Sequence, residues 1–158
     1  MKHIAIAFPL ILSVTLAIGQ TALSKSVGQS LYLPIYSHIW HGDTNTLNQP
    51  ERTLVSVSVS IRNTDPATTI QAISARYFDT QGKRLREYVV APVKIGPMGT
   101  HEIFIPRADD SGGAGANFVI SWQSDKPANP PIAEGLHANL PVNRSIAFIT
   151  KATVMAPE

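Results

Sequence analysis

A chain of 158 residues, 44% of them hydrophobic and 15% charged, can bury one well-packed core and is too short for two ordinary domains. A formal charge of +2, with 13 Lys and Arg scattered against 11 Asp and Glu, points to no partner recognised by charge and argues against nucleic-acid binding. The absence of cysteine excludes disulfides, zinc–thiolate sites and thiol nucleophiles together.

At the N-terminus, Lys2 and His3 precede an uncharged run from Ile4 to Ile18, with small residues at Ala17, Gly19, Ala22 and Ser24 that suit a signal peptidase. The run falls short of the roughly 20 apolar residues that span a bilayer. Residues 1–24 therefore read as a signal peptide, and the mature chain is expected in the periplasm or outside the cell, with no stable membrane insertion. No Cys follows the run to accept a lipid.

Ser30-Leu31-Tyr32-Leu33-Pro34-Ile35-Tyr36 alternates in the manner of a strand, and Pro34 assigns it to an edge. Ser37 to Asp43 reads as a strand end, and Thr44 to Arg52 as a polar loop. The clearest strand is next, where Val55, Val57, Val59 and Ile61 alternate with Ser56, Ser58, Ser60 and Arg62. It stops at Asn63-Thr64-Asp65-Pro66, where Asn or Asp closes a turn, and Arg62 is expected to pair with Glu87 or Asp79 on a neighbouring strand. Further strands run through Ile73, Ala75 and Tyr77, then around 85–90 with a short continuation at 93–95. Lys83, Arg84 and Arg86 flank the turn between them as a solvated edge.

After Gly96-Pro97-Met98-Gly99, His101, Ile103 and Ile105 share one strand face, and Phe118, Ile120 and Trp122 share another. Two more strands are expected around 132–139 and 146–151, with 152–158 a frayed tail. Strands about ten residues apart, with turns between and no helical period, predict one all-β domain over 29–151: an antiparallel β-sandwich of immunoglobulin or fibronectin-like architecture with about seven to nine strands. Trp40, Trp122, Tyr36 and Tyr77 are assigned to the core or sheet faces.

The blocks Gln29 to Ile39, Ser60 to Asp65, Arg76-Tyr77-Phe78-Asp79 with Gly82-Lys83 and Arg86-Glu87-Tyr88, and Asp110 to Phe118 resemble the motif blocks of the bacterial family catalogued as domain of unknown function 3124. The resemblance covers residues from about Gly28 to about Thr150. It implies an exported or envelope-attached protein and no particular activity. Lipid-anchored members would carry a Cys at the signal end, which this chain lacks.

Two constellations could carry chemistry. His38-x-x-His41-x-Asp43 offers two imidazoles and a carboxylate for zinc or copper, but residues three apart on a strand point to opposite faces. The set converges only if the chain turns at Ile39-Trp40, with His101 or His137 folding over as a further ligand; the competing reading is a strand end beside a structural Trp. Ser111, Gly112, Gly113 and Asn117, with Asp109 and Asp110, form the second candidate, a loop for a small ligand. It lacks the spacing of the twelve-residue calcium loop and feeds a strand where a phosphate loop feeds a helix. The competing reading is a surface loop whose glycines serve positive φ. Ser111 has glycine only on its C-terminal side, unlike a hydrolase elbow. Carboxylate pairs among Glu87, Asp109, Asp110 and Glu134 have no obvious cleft.

The sequence thus favours a non-enzymatic envelope module that binds a protein, a surface polymer or a small ligand through loops at one end. The alternative is a periplasmic zinc or copper protein using His38 and His41.

Overall fold

The fold follows from the period-two alternation of its strands, each of which gives one apolar face to a shared interior. The computed structural model describes residues 24–156, and among them there is no helix. The segment read as a signal peptide lies, apart from Ser24, outside the described residues. The strands are β1 (Ser26–Ile35), β2 (His38–Thr44), β3 (Pro50–Leu54), β4 (Ser56–Arg62), β5 (Ile70–Phe78), β6 (Arg84–Glu87), β7 (Val93–Ile95), β8 (Thr100–Ile105), β9 (Ala116–Ala128), β10 (Ile132–Asn139), β11 (Ile146–Lys151) and β12 (Thr153–Val154).

Every pairing is antiparallel. The first sheet has the order β12-β1-β9-β5-β6, with β7 on the same side of β5 as β6 but at its other end. The second has the order β11-β10-β4-β8, and β2 and β3 form a separate hairpin. Leu31, Leu33, Ile35, Tyr77, Phe118, Ile120 and Trp122 from the first sheet meet Val57, Val59, Ile61, Ile103 and Ile105 from the second in one core. Each such large side chain, fully buried, is worth about 1.5–3 kcal/mol. Strand β4 lies between β10 and β8, and its apolar side, Val57, Val59 and Ile61, is completely enclosed because it packs against the first sheet across the core.

One end of the sandwich is tied by two side chains from the β4–β5 corner. The Asn63 amide nitrogen lies 2.8, 3.0 and 2.9 Å from the carbonyls of Thr68, Ile95 and Gly96, and its Oδ1 accepts the Asp65 N–H at 2.9 Å. Asp65, only 1% exposed, accepts the N–H groups of Ala67, Thr68 and Asn129 and the Lys25 ammonium. The backbone N–H of Ala67, then that of Asn129, hold its carboxyl far below the usual carboxylate range, against the opposing effect of burial. The β4–β5 corner, the β7–β8 turn, the β9–β10 turn and the start of β1 are thereby joined.

Four expectations need correction. There are twelve strands rather than seven to nine. The stretch read as a strand end and polar loop, 38–52, is the β2–β3 hairpin; it lies largely in solvent, so no apolar alternation marks it. Its turn is set locally, by Asn45 Oδ1 accepting the N–H of Leu47 and Gln49 and by Asn48 at φ +58°. Thr153 and Val154 pair with Tyr32 and Leu31, so that part of the predicted frayed tail is strand. Arg62 lies 3.8 Å from Glu134 on the adjacent β10, not against Glu87 or Asp79, which belong to the other sheet's edge. Pro34 does occupy a near-edge strand: outside β1 lies only the two-residue β12.

Because Asn63→Ala would leave three carbonyls and the Asp65 N–H short of a partner, it is expected to lower the unfolding free energy by about 2–4 kcal/mol. Urea denaturation at pH 7 measures this, and an unchanged midpoint would refute the structural role assigned to the corner.

Candidate functional site

At the opposite end, the chain passes from β1 through Tyr36-Ser37 into β2 and returns from β3 through Val55 into β4, so that the hairpin is an arm rooted in both sheets. Ser37 fixes the root. Its N–H donates to the Gly113 carbonyl and its carbonyl accepts the Val55 N–H, both at 3.0 Å, while its hydroxyl lies 3.1 Å from the Tyr77 hydroxyl in the interior. Arg52 on β3 reaches across to Asp110 at 3.3 Å.

The 109–115 loop is held as tightly as the arm. The Gly112 carbonyl accepts both the N–H and the hydroxyl of Thr80, each at 3.0 Å, and Thr80 Oγ1 in turn accepts the Gly115 N–H at 3.0 Å. Gly113 N–H donates to the Asp110 carbonyl, and both the N–H and hydroxyl of Ser111 donate to Asp109 Oδ1. With these donors already engaged, the loop is not an open nest for an anion. Its glycines are there for space and conformation. A Cβ at Gly112 would run into the Tyr77 hydroxyl and the Ala116 side chain, and Gly113 sits at φ +77°. Of the four predicted ligand-binding residues, Ser111, Gly112 and Gly113 share this loop. Asn117 instead stands in the β9 ladder, opposite Pro34 and Phe78.

His38, His41 and Asp43 are not brought together. The chain stays extended through Ile39-Trp40, so His38 and His41 fall on opposite faces of β2. His38 is buried, edge-on to Trp40 with ring centroids 4.8 Å apart, and neither ring nitrogen has a hydrogen-bond partner. Burial first, and Arg52 second, lower its pKa below the ordinary 6.5, with Asp110 acting the other way. His41 contacts Thr53 Oγ1 at 2.7 Å and Glu51 at 3.6 Å, and Asp43 is exposed beyond the irregular register at Gly42. Among the described residues, no group of three or more His, Asp or Glu is placed to hold a metal ion.

Sequence reasoning missed two features of this end. Trp40, assigned to the core or a sheet face, is 53% exposed on the arm; its mostly polar neighbourhood on β2 and β3, with Arg52 opposite it, was the available signal. His137, considered only as a spare metal ligand, is fully buried in the core. Its Nε2 accepts the Tyr36 N–H at 3.1 Å, so Nδ1 carries the proton and donates to the Gly135 carbonyl at 3.0 Å; Phe148 stacks on the ring at 4.5 Å. Desolvation lowers its pKa below 6.5, while backbone contacts at Gly135 and Phe148 oppose the shift.

Gly112→Ala forces overpacking against Tyr77 and is expected to cost about 1–3 kcal/mol, which differential unfolding of the two proteins measures. For His38 and His137 the folded state favours neutral imidazole, so their contribution to stability is complete above pH 6.5 and is lost as the pH falls through the lower folded values. Imidazole proton NMR titration should place both midpoints below 6.5, and a midpoint at or above 6.5 for His137 contradicts its assigned environment.

The family described as "Protein of unknown function (DUF3124)" matches residues 28–155, and the chain belongs to it. Among solved structures, the chain is similar to that described as "Crystal Structure of Thermotoga maritima 1070", at 12% identity and a TM-score of 0.41, over 79% of this chain and 92% of that one. No curated protein matches it.

Proposed function

We propose that this DUF3124 member is an exported β-sandwich module of the bacterial envelope that docks through its β2–β3 arm onto another envelope component, a protein or a surface polymer. Export is supported by the Lys2-His3 start, the uncharged run to Ile18 and the small residues after it. Docking rests on one observation above all: Trp40 is 53% exposed on an arm whose root is fixed by Ser37, Gly113 and Arg52–Asp110. A large aromatic side chain held out by a braced element loses little further entropy when it is covered, and such residues dominate binding energy at interfaces. Leu47, 75% exposed near the arm's tip, extends the apolar contact area. The reading assigns no catalytic step, since Ser111 is engaged by Asp109 and the carboxylates at this end serve turns and an ion pair.

The test is a photo-crosslinking amino acid placed at position 40 in growing cells, with position 94 on exposed β7 as the control. Discrete adducts are expected from position 40 alone, in the envelope fraction, and Trp40→Ala should lower capture of the same component by about tenfold or more. Identical adduct patterns at the two positions, or a chain retained in the cytosol, would defeat the reading.

A further inference from the structure

The outer face of the first sheet carries a second feature, independent of the arm. An open trough of about 670 Å³ runs across β1, β9 and β5 and is walled by the segment from Val154 to Ala156. Ser30 and Ser121, opposite each other on β1 and β9, place their hydroxyls 3.0 Å apart in it, and Arg76 enters from β5. Ile73, Val119 and Met155 add apolar surface.

Arg76 is the unusual member. It is partly buried, forms no ion pair among the described residues, and its Nε is enclosed without a hydrogen-bond partner. The acid opposite it in register, Glu87, is already occupied: its Oε1 accepts the N–H of Ala75 and Val89, and its Oε2 the Ser74 hydroxyl and an Arg84 N–H. A guanidinium partly withdrawn from water without a counterion favours an incoming anion, and a carboxylate is the group whose geometry matches its planar fork. Gln29 Oε1 and Trp122 Nε1 are also buried without partners, but on the opposite, core-facing side of the same two strands. Among the described residues, the only other such atoms are the two His38 nitrogens at the arm. Enclosed polar atoms are nearly always paired, so the unpartnered Arg76 Nε on the outer face marks a place where a partner from outside the chain can be taken.

We infer that this trough is a binding site for a small carboxylate ligand with an apolar body, its charge taken by Arg76, its oxygens within the range of the Ser30–Ser121 pair, and its body against Ile73, Val119 and Met155. Octanoate is a suitable probe and neutral octanamide its control, followed by amide NMR of the full mature chain. Octanoate is expected to shift the Ser30, Arg76, Val119 and Ser121 signals saturably, with octanamide at least about tenfold weaker, the scale of a charge-assisted bond. Arg76→Gln should weaken octanoate to the level of octanamide, and Arg76→Lys should fall between, as charge without the planar fork. Equal binding of acid and amide by the unaltered chain, no shift at millimolar octanoate, or full octanoate affinity in a folded Arg76→Gln chain would each overturn the assignment.

Discussion

The corner held by Asn63 and Asp65 is the constraint on which the rest of the fold depends. A sandwich made of short antiparallel strands must stop and reverse many times, and each reversal leaves backbone carbonyls and N–H groups that no ladder can satisfy. Here two adjacent side chains satisfy those of several reversals at once. Asn63 serves the carbonyls of the β4–β5 and β7–β8 connections, and Asp65 serves the N–H groups of the β4–β5 and β9–β10 connections and takes Lys25 from the start of β1. Because strands of both sheets leave from this corner, it fixes the sheets relative to each other as well as the turns themselves. The apolar core supplies most of the driving force, but it is non-directional; the corner supplies register.

The two ends of the sandwich are consequently different in kind. At the corner, the side chains are buried and inward-facing, and the connections are short. At the arm end, the connections are longer, and the chain fixes them by close approach rather than by one central pair: Thr80 against Gly112 and Gly115, Ser37 against Gly113 and Tyr77, Arg52 against Asp110. Such a framework holds a solvent-facing element rigidly without covering it. Trp40 can therefore stay exposed on a structure that does not fray, and the buried, unpartnered His38 ring beneath it is the local cost of that arrangement.

The parts of this structure legible in the sequence are those in which one side of a strand is buried. Val57, Val59 and Ile61, then Ile103 and Ile105, then Phe118, Ile120 and Trp122 announce β4, β8 and β9 by alternation alone, and the Asn-Thr-Asp-Pro run announces the corner. The hairpin was not legible because neither of its faces is buried, so period two leaves no hydrophobic trace. Strand β12 was not legible because two residues carry no period at all. Which of the candidate residues come together was not legible for a related reason. His38-x-x-His41 is a spacing, and spacing becomes proximity only once the backbone path is known; β2 runs straight where convergence required a turn. The Asp-Ser-Gly-Gly loop is open to either reading in the sequence because glycine permits both a nest and close packing, and the close approach of Tyr77 and Thr80, about thirty residues or more away in the chain, is visible only in the fold.

The treatment of buried polar groups ties these observations together. Asp65 and Glu87 are both enclosed in part or whole, and both are met by several backbone N–H groups and a cation. Burial alone would raise the Glu87 pKa, yet the bonds from Ala75, Ser74 and Val89 bring it below its ordinary value. A chain that so fully provides for its acids leaves atoms of Gln29, Trp122, His38 and Arg76 without provision, and of these His38 and Arg76 are the ionisable ones. His38 lies beneath the exposed aromatic of the arm, and Arg76 in a trough with an apolar wall. Core packing does not explain Arg76, which stands on the outer face of the first sheet and outside the core. The unpartnered His38 ring is a cost of holding the arm, whereas Arg76 becomes intelligible if its missing partner comes from outside the chain. In the sequence Arg76 is only one member of the Arg76-Tyr77-Phe78-Asp79 block, and nothing there marks it as unpaired; that its neighbour Glu87 is already taken by Ala75, Ser74 and Val89 becomes visible only in the fold.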